Sequence, residues 1–233
     1  MSPPSRPSTT TVLVVDADPH SQDELGNALS SAGYRVDKAT DDETCSRAVT
    51  DAEPHVVVAD VDGFGGADAV AALRGRSNVP IIVLSARAGH HDKMETFEAG
   101  ADDYLTRPFE MDELMARVRA LVRRRSLSGQ AYAEPAVETD SFTVDLFAKK
   151  VHKNGTAVHL TPNEWGVLEV LARNPGRLIP HRHLLEQVWG PGHLTHSNYL
   201  RVYIAQLRRK LEPVPARPRH LLTEPGAGYR FES

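Results

Sequence analysis

Three short runs in the first half of the chain constrain its fold most. Residues 11–15 (TVLVV), 55–59 (HVVVA) and 80–84 (PIIVL) are almost continuously apolar and rich in β-branched side chains. A strand with one wet face alternates polar and apolar residues; a continuous run means that both faces of the sheet are covered. Two further short strands are expected at 35–38 and 103–106. Helical periodicity fills the gaps at 22–32, 43–50, 67–74, 93–99 and 112–125, with Gly33 and Gly100 closing two of these segments. Five strands alternating with five helices predict a doubly wound parallel α/β sheet of the flavodoxin-like kind. Such a sheet places its chemistry at the carboxyl ends of its strands.

The pattern changes after residue 125. Residues 126–136 (SLSGQAYAEPA) are small and polar and read as a linker. Residues 137–160 follow as short alternating strands with a Lys153-Asn154-Gly155 hairpin turn. Three helices are expected at 162–173, 181–189 and 197–212, then a hairpin over 221–231 around Gly226 and Gly228. The organisation is therefore a polar tail at 1–10, an α/β domain at 11–125, the linker, and an α+β domain at 137–233.

Charge divides along the same boundary. Residues 1–125 hold 14 Lys and Arg against 21 Asp and Glu, a formal net of −7. Residues 126–233 hold 13 against 10, a net of +3, and 7 of the 11 histidines. Only the second half is suited to meet a polyanion. No apolar run approaches the ~18 residues of a membrane helix, and the Ser/Thr/Pro tail lacks the apolar core of a secretory signal. The single cysteine, Cys45, has no internal disulfide partner, which is consistent with a reducing cytoplasm.

The helix expected from Ser197 carries an apolar stripe of Leu200, Ile204, Leu207 and Leu211. Asn198, Arg201, Arg208 and Arg209 project elsewhere, with Tyr199, Tyr203 and Gln206 between them. Arg pairs with guanine edges, Asn and Gln pair with adenine, and Arg, Lys and Tyr bind phosphates. A solvated face beside a core stripe reads the same way in isolation. The short helix before it and the glycine-turned hairpin after it favour a winged helix-turn-helix with this segment as recognition helix. Trp165, Leu168, Leu171 and Trp189 read as core.

TPNEWGVLEVLARNPG, LLEQVWG, NYLRVYIAQLRRKLE and LLTEPGAGYRFE together resemble the effector domain of OmpR/PhoB-type response regulators, in the KdpE-type branch whose members regulate potassium-transport genes. The resemblance implies that Asn198, Tyr199, Arg201, Tyr203, Gln206 and Arg208 face DNA, with Arg209 as a further cation. It also implies that a wing running from Thr223 to Arg230 reaches the backbone or minor groove. Pro225 stands where several relatives have an Arg before the wing's Gly-x-Gly, so Arg230 is expected to brace the wing.

The first domain resembles a receiver. The matching segments are Val-Asp16-Ala17-Asp18-Pro19, Leu84-Ser85-Ala86-Arg87 and the run from Asp102 to Phe109, with Asp60 at the phospho-acceptor position. The resemblance implies that an acidic pair and the acceptor hold Mg²⁺ for in-line phosphoryl transfer, that a Ser/Thr hydroxyl and a Lys bind the phosphoryl oxygens, and that Tyr104 moves with Ser85. This chain departs from the pattern. Ala17 replaces the second acid, Asp18 is one residue too far along, Arg107 replaces the Lys, and the loop VDGFGGAD after Asp60 lacks the usual Pro and is two residues short. An Arg fork is not interchangeable with an ammonium in a tight pocket. A lost carboxylate weakens Mg²⁺ by about 1–3 kcal/mol, by analogy with a charge-assisted contact. An atypical receiver is expected, weakly phosphorylated or not at all, with Mg²⁺ at Asp16 and Asp60 weakened by Ala17 and an Asp60–Arg107 ion pair in its place. Conventional phosphorylation at Asp60, with Asp16, Asp60 and Asp62 holding Mg²⁺, is the alternative.

The resemblance also implies a dimer face built from Lys93, Asp103, Glu113 and Arg117, whose separate charges otherwise read as ordinary surface. Asp60-Val61-Asp62-Gly63 matches the nucleophile loop of haloacid-dehalogenase phosphatases, with Ser85, Arg107 and the Asp102/Asp103 pair as remaining parts. Phe64 in place of the usual Thr and the missing Lys count against that reading. Gly63–Gly66 is no complete nucleotide motif, and His181 with His183 lacks a third metal ligand. The expected protein is a cytoplasmic, non-enzymatic regulator that binds double-stranded DNA as a homodimer, with a sensor histidine kinase and RNA polymerase as further partners and no membrane contact. A protein-interaction adaptor is the non-enzymatic rival.

Overall fold

A computed structural model describes residues 10–126, 136–190 and 197–233, the side chains of 123–126 and 197–198 excepted. The chain divides between Arg125 and Ser126 into two compact units. In the first unit the order is β1 (Thr11–Val15), α1 (Pro19–Ser31), β2 (Arg35–Ala39), α2 (Asp42–Ala52), β3 (Val56–Asp60), α3 (Gly66–Arg76), β4 (Ile81–Ser85), α4 (His90–Glu98), β5 (Asp103–Thr106) and α5 (Met111–Ser126). All strand pairs are parallel, in the spatial order β2-β1-β3-β4-β5, the flavodoxin-like arrangement. The three apolar runs are the central strands, and Val12–Val14, Val56–Val58 and Ile81–Leu84 are wholly buried.

Helix starts differ most from expectation. Asp18 caps α1, accepting from the amides of His20 and Ser21, so the helix begins at Pro19 rather than near residue 22. Proline at the first helical position costs no hydrogen bond and brings its φ already set.

The second unit begins with an antiparallel sheet: β6 (Val137–Glu138), β7 (Thr143–Asp145), β8 (Lys150–Lys153) and β9 (Thr156–Val158). Asn154 and Gly155 both have positive φ at the expected hairpin turn, as a tight two-residue connection requires. Next come α6 (Pro162–Ala172), β10 (Leu178–Pro180), α7 (His181–Trp189), α8 (Ser197–Leu211) and the hairpin β11 (Leu221–Glu224) and β12 (Gly228–Phe231). The sequence gives no sign of β10, three residues ending in Pro, yet it pairs with β12 to make the order β10-β12-β11. A Cβ on Gly228 would overlap the Ile179 carbonyl, so only glycine lets the two strands approach this closely. Most of the expected linker, residues 127–135, lies outside the described residues.

Candidate functional site

The carboxyl ends of β1, β3 and β4 bring Asp16, Asp60 and Ser85 to one edge of the sheet, as expected. Asp16 is buried and accepts from the Asp18 amide at 2.9 Å. Asp60 accepts from the Asp62 amide at 2.9 Å. Burial is the largest influence on the Asp60 carboxyl and pushes it above the ordinary aspartate range; the Asp62 amide and the Arg107 guanidinium pull it back. Arg107, just after β5, places Nη2 at 2.9 Å from Asp60 Oδ2, 3.4 Å from Asp16 Oδ2 and 3.0 Å from Ser21 Oγ. One guanidinium nitrogen thus lies among the oxygens that would otherwise face a cation. Phe109 supports it, its ring centroid 5.7 Å from the Arg107 Cζ.

Asp18 points away from this edge as the α1 cap. The Asp62 carboxylate does not join Asp16 and Asp60 as a third acid for Mg²⁺. It accepts from Ser85 Oγ at 2.7 Å and from the Ala86 amide at 2.6 Å, because the short loop after β3 folds back over β4. A directly held Mg²⁺ wants near-octahedral oxygens at about 2.0–2.1 Å. Here Ala17 offers a methyl, Asp62 is bound elsewhere, and Asp16 and Asp60 both already lie against Arg107. Among the described residues no group of three or more His, Cys, Asp or Glu is placed to hold a metal ion. The residues present do not fit a metal bound in the manner of a complete receiver.

Tyr104 is buried; its hydroxyl donates to the Arg87 carbonyl at 2.7 Å and its ring lies 6.4 Å from that of Phe97. Of the four residues assigned to a dimer face, three are joined within the single chain. Arg117 donates to Asp103 and to Glu113, each at 2.6 Å. Lys93 sits over the Tyr104 ring at 5.4 Å. Asp102 and Asp103 stand at the start of β5, the opposite end of the sheet from Asp60. Asp102 is fully buried against Arg74 at 2.7 Å. The phosphatase reading therefore loses the acidic pair it needed, because the strand direction carries both residues away from the pocket.

In the second unit the apolar stripe of α8 is buried as expected, with Leu200, Leu207 and Leu211 at 0% exposure. Two of the residues assigned to DNA are not on its outer face. Tyr203 is fully buried, its ring tilted by 40° against that of Trp189 at 5.4 Å, and its hydroxyl accepts from Asn163 Nδ2 at 3.0 Å. Gln206 is also buried. The packing of α6 and α7 against α8 widens the inward face beyond the stripe read from sequence. Arg208 is half committed as well: its Nε donates to the Leu221 carbonyl at 2.8 Å and its Nη2 to Thr223 Oγ1 at 2.7 Å, clipping the helix to the wing. Arg230 is paired with Glu224 across the hairpin and braces the wing as expected.

The outward face of α8 is a row of Arg201, Ala205 and Arg209 at i, i+4 and i+8, all exposed, with Tyr199 half-buried at its start. The side chain of Asn198 lies outside the described residues. The two arginines present guanidinium forks at either end of this row, with a small residue between them.

Sequence reasoning missed the groups that hold α8 in place. Glu164, buried in the Thr161 capping box, receives Lys210 Nζ at 2.6 Å. Glu212, also buried, accepts from the amides of Arg219, His220 and Leu221 at the entrance to the wing. The Thr161-x-x-Glu164 spacing is the one local signal for this cap; its further link to Lys210 depends on residues 46 apart in sequence. Removing the Tyr203 hydroxyl (Tyr203→Phe) is expected to lower the stability of this unit by about 1 kcal/mol while leaving DNA affinity within about twofold, a change small beside the tenfold that ~1.4 kcal/mol represents. Thermal melts beside a binding titration read both.

Residues 12–119 match the response regulator receiver domain, and residues 155–231 match the transcriptional regulatory protein C-terminal domain. Two strains of Mycobacterium tuberculosis each have a transcriptional regulatory protein KdpE that is 51% identical over 226 residues, covering 96% of this chain and all of the relative. The chain belongs to the response regulators of the OmpR/PhoB type, in the KdpE branch. The KDP operon transcriptional regulatory protein KdpE of Escherichia coli is 44% identical across 95% of this chain and 99% of its own. Two RitR mutants of solved structure superpose over 96% of this response regulator with TM-scores of 0.77 and 0.79 at 22% identity, a likeness of fold alone. As a KdpE-branch response regulator it combines a receiver with a DNA-binding winged helix. Among the described residues no helix is long and apolar enough to cross a membrane.

Proposed function

We propose that this response regulator is a cytoplasmic, sequence-specific DNA-binding regulator that works as a dimer and whose receiver is phosphorylated at Asp60 weakly or not at all. The observation that carries the reading is the placement of Arg107 Nη2 between Asp60 and Asp16 at 2.9 and 3.4 Å. A fixed cation neutralises the two acids without the open coordination positions that phosphoryl transfer uses. The protein performs no turnover of its own; its receiver supplies pairing and its winged helix supplies contact with DNA.

Arg201 and Arg209 meet bases or phosphates, and the wing lies against the backbone with Thr223 near it. Asn198, Tyr199 and Arg208 lie beside this surface. Dimerisation through the face around Lys93, Asp103, Glu113 and Arg117 raises the effective concentration of the second reading head at its half-site, and RNA polymerase is the partner at the promoter. A sensor histidine kinase, if it engages this receiver, acts on a pocket where Mg²⁺ is held weakly.

Incubation with a small phosphodonor and Mg²⁺, followed by a phosphate-affinity gel, tests the reading. Little or no labelling is expected for the unaltered protein. Restoring the family's acid and ammonium together (Ala17→Asp with Arg107→Lys) is expected to raise labelling at least tenfold, about what 1.4 kcal/mol at the transition state delivers. Stoichiometric labelling of the unaltered chain that vanishes in Asp60→Asn overturns it in favour of conventional activation. Asp60, Ser85 and Tyr104 of the receiver pattern support that second reading, and potassium-transport genes are its expected targets.

A further inference from the structure

The oxygens of Asp62 end in a cradle of two donors at the end of β4. Ser85 Oγ–H and the Ala86 N–H converge on one carboxylate at 2.7 and 2.6 Å. Short bonds from two donors to an ionised acceptor are the stronger kind. The donors sit at the carboxyl end of β4, next to β3, where Asp60 is in register with Leu84. An anion attached to Asp60 would meet this same pair of donors. The cradle is therefore an anion site, and it is filled from within the chain.

The contact is relayed. Ser85 Oγ, donating to Asp62, also accepts from the Arg87 amide at 3.0 Å, and the Arg87 carbonyl accepts from the Tyr104 hydroxyl at 2.7 Å. Two sets of hydrogen bonds, joined through the backbone of Arg87, thus link the Asp62 carboxylate to a tyrosine that is 7% exposed. The loop is built to reach: a Cβ on Gly63 would lie 3.2 Å from the Ala17 Cβ, so the chain passes close over the position where a second acid would stand. The Arg87 Nε, 3.8 Å from Asp62 Oδ1, adds charge of the right sign.

We infer that Asp62 is an internal ligand of this anion site, taking the place of a phosphoryl group and keeping Tyr104 in its inward position without modification of Asp60. The inference rests on the proposal that Asp60 is not stoichiometrically phosphorylated. Arg107 fills the cation side of the pocket and Asp62 the anion side. The site emptied by Asp62→Ala would take a small carboxylate or phosphoryl oxyanion.

The test uses full-length protein labelled with meta-fluorotyrosine, the Tyr104 fluorine resonance being assigned by its loss in Tyr104→Phe. In Asp62→Ala, with folding checked by its melting transition, the Tyr104 resonance is expected to leave its buried position and broaden. Millimolar acetate or formate is expected to restore it, and chloride at the same ionic strength is not. Should the alanine variant fail to fold, Asp62→Asn keeps the shape, removes the charge and is expected to give a smaller shift in the same direction. An unchanged Tyr104 resonance in the folded variant, or a shift that acetate and formate leave untouched, overturns the inference alone. Stoichiometric labelling of the unaltered chain at Asp60 overturns it together with the proposed function, so the phosphate-affinity gel run on the same samples separates the two failures.

Discussion

The double variant Arg201→Ala, Arg209→Ala is expected to bind its DNA site roughly 30- to 1000-fold more weakly than the unaltered chain, a loss of about 2–4 kcal/mol. The two side chains end the exposed row of α8, whereas Arg208 is tied to the wing. The salt dependence discriminates their roles. Each arginine that meets a phosphate lowers the slope of log affinity against log salt by about one unit, whereas one that meets a base relaxes sequence preference at that position. Binding titrations at several salt concentrations, on the specific site and on scrambled duplex, read both quantities. Undiminished affinity at every salt concentration would remove α8 from the interface.

Arg74→Ala is expected to cost the first unit about 3–5 kcal/mol, because it strands a buried carboxylate. Arg74 is 9% exposed and Asp102 is fully buried. Its guanidinium donates to the carbonyls of Gly100, Ser77 and Val79 as well as to Asp102 Oδ2, and Asp102 Oδ2 also accepts from the Ile81 amide. The group thus ties the end of α3 to the starts of β4 and β5, at the opposite end of the sheet from the pocket. Against a total stability of about 5–15 kcal/mol for a domain, the expected fall in melting temperature is roughly 10–25 °C. Replacing both partners by apolar residues of similar volume (Arg74→Met with Asp102→Leu) should recover part of the loss, since the cost comes from the unpaired charge. Calorimetry of the full chain measures both variants. A loss under 1 kcal/mol in Arg74→Ala would mean that water reaches Asp102.

These two arginine sites also show where sequence stops being informative. Arg74 sits in a stretch read correctly as helix, yet nothing local distinguishes it from Arg76 two residues on, which is far more exposed. Its burial comes from β4 and β5 closing over the end of α3. On α8 the four-residue apolar stripe was readable, but Tyr203 and Gln206, polar by composition and one helical step from it, looked like reading residues. They are buried because α6 and α7 pack on a face wider than the stripe, and Asn163 supplies the partner that makes a buried phenol tolerable.

What the chain's own order of residues determined is the alternation of continuous apolar strands with helices, the change of pattern near residue 126, the hairpin turn at Asn154-Gly155 and the identity of Asp16, Asp60, Ser85 and Arg107 as neighbours at one sheet edge. These follow from local periodicity, turn chemistry and the rule that strand ends of a parallel sheet share an edge. What only the tertiary structure decided is which carboxylate faces which donor. Asp62 turned to Ser85 and Ala86 rather than to Asp16, and Arg107 came between Asp60 and Asp16. Charge pairing acts over a few ångströms, and separations of that size are fixed by how loops from different strands pack together, which no stretch of sequence carries on its own.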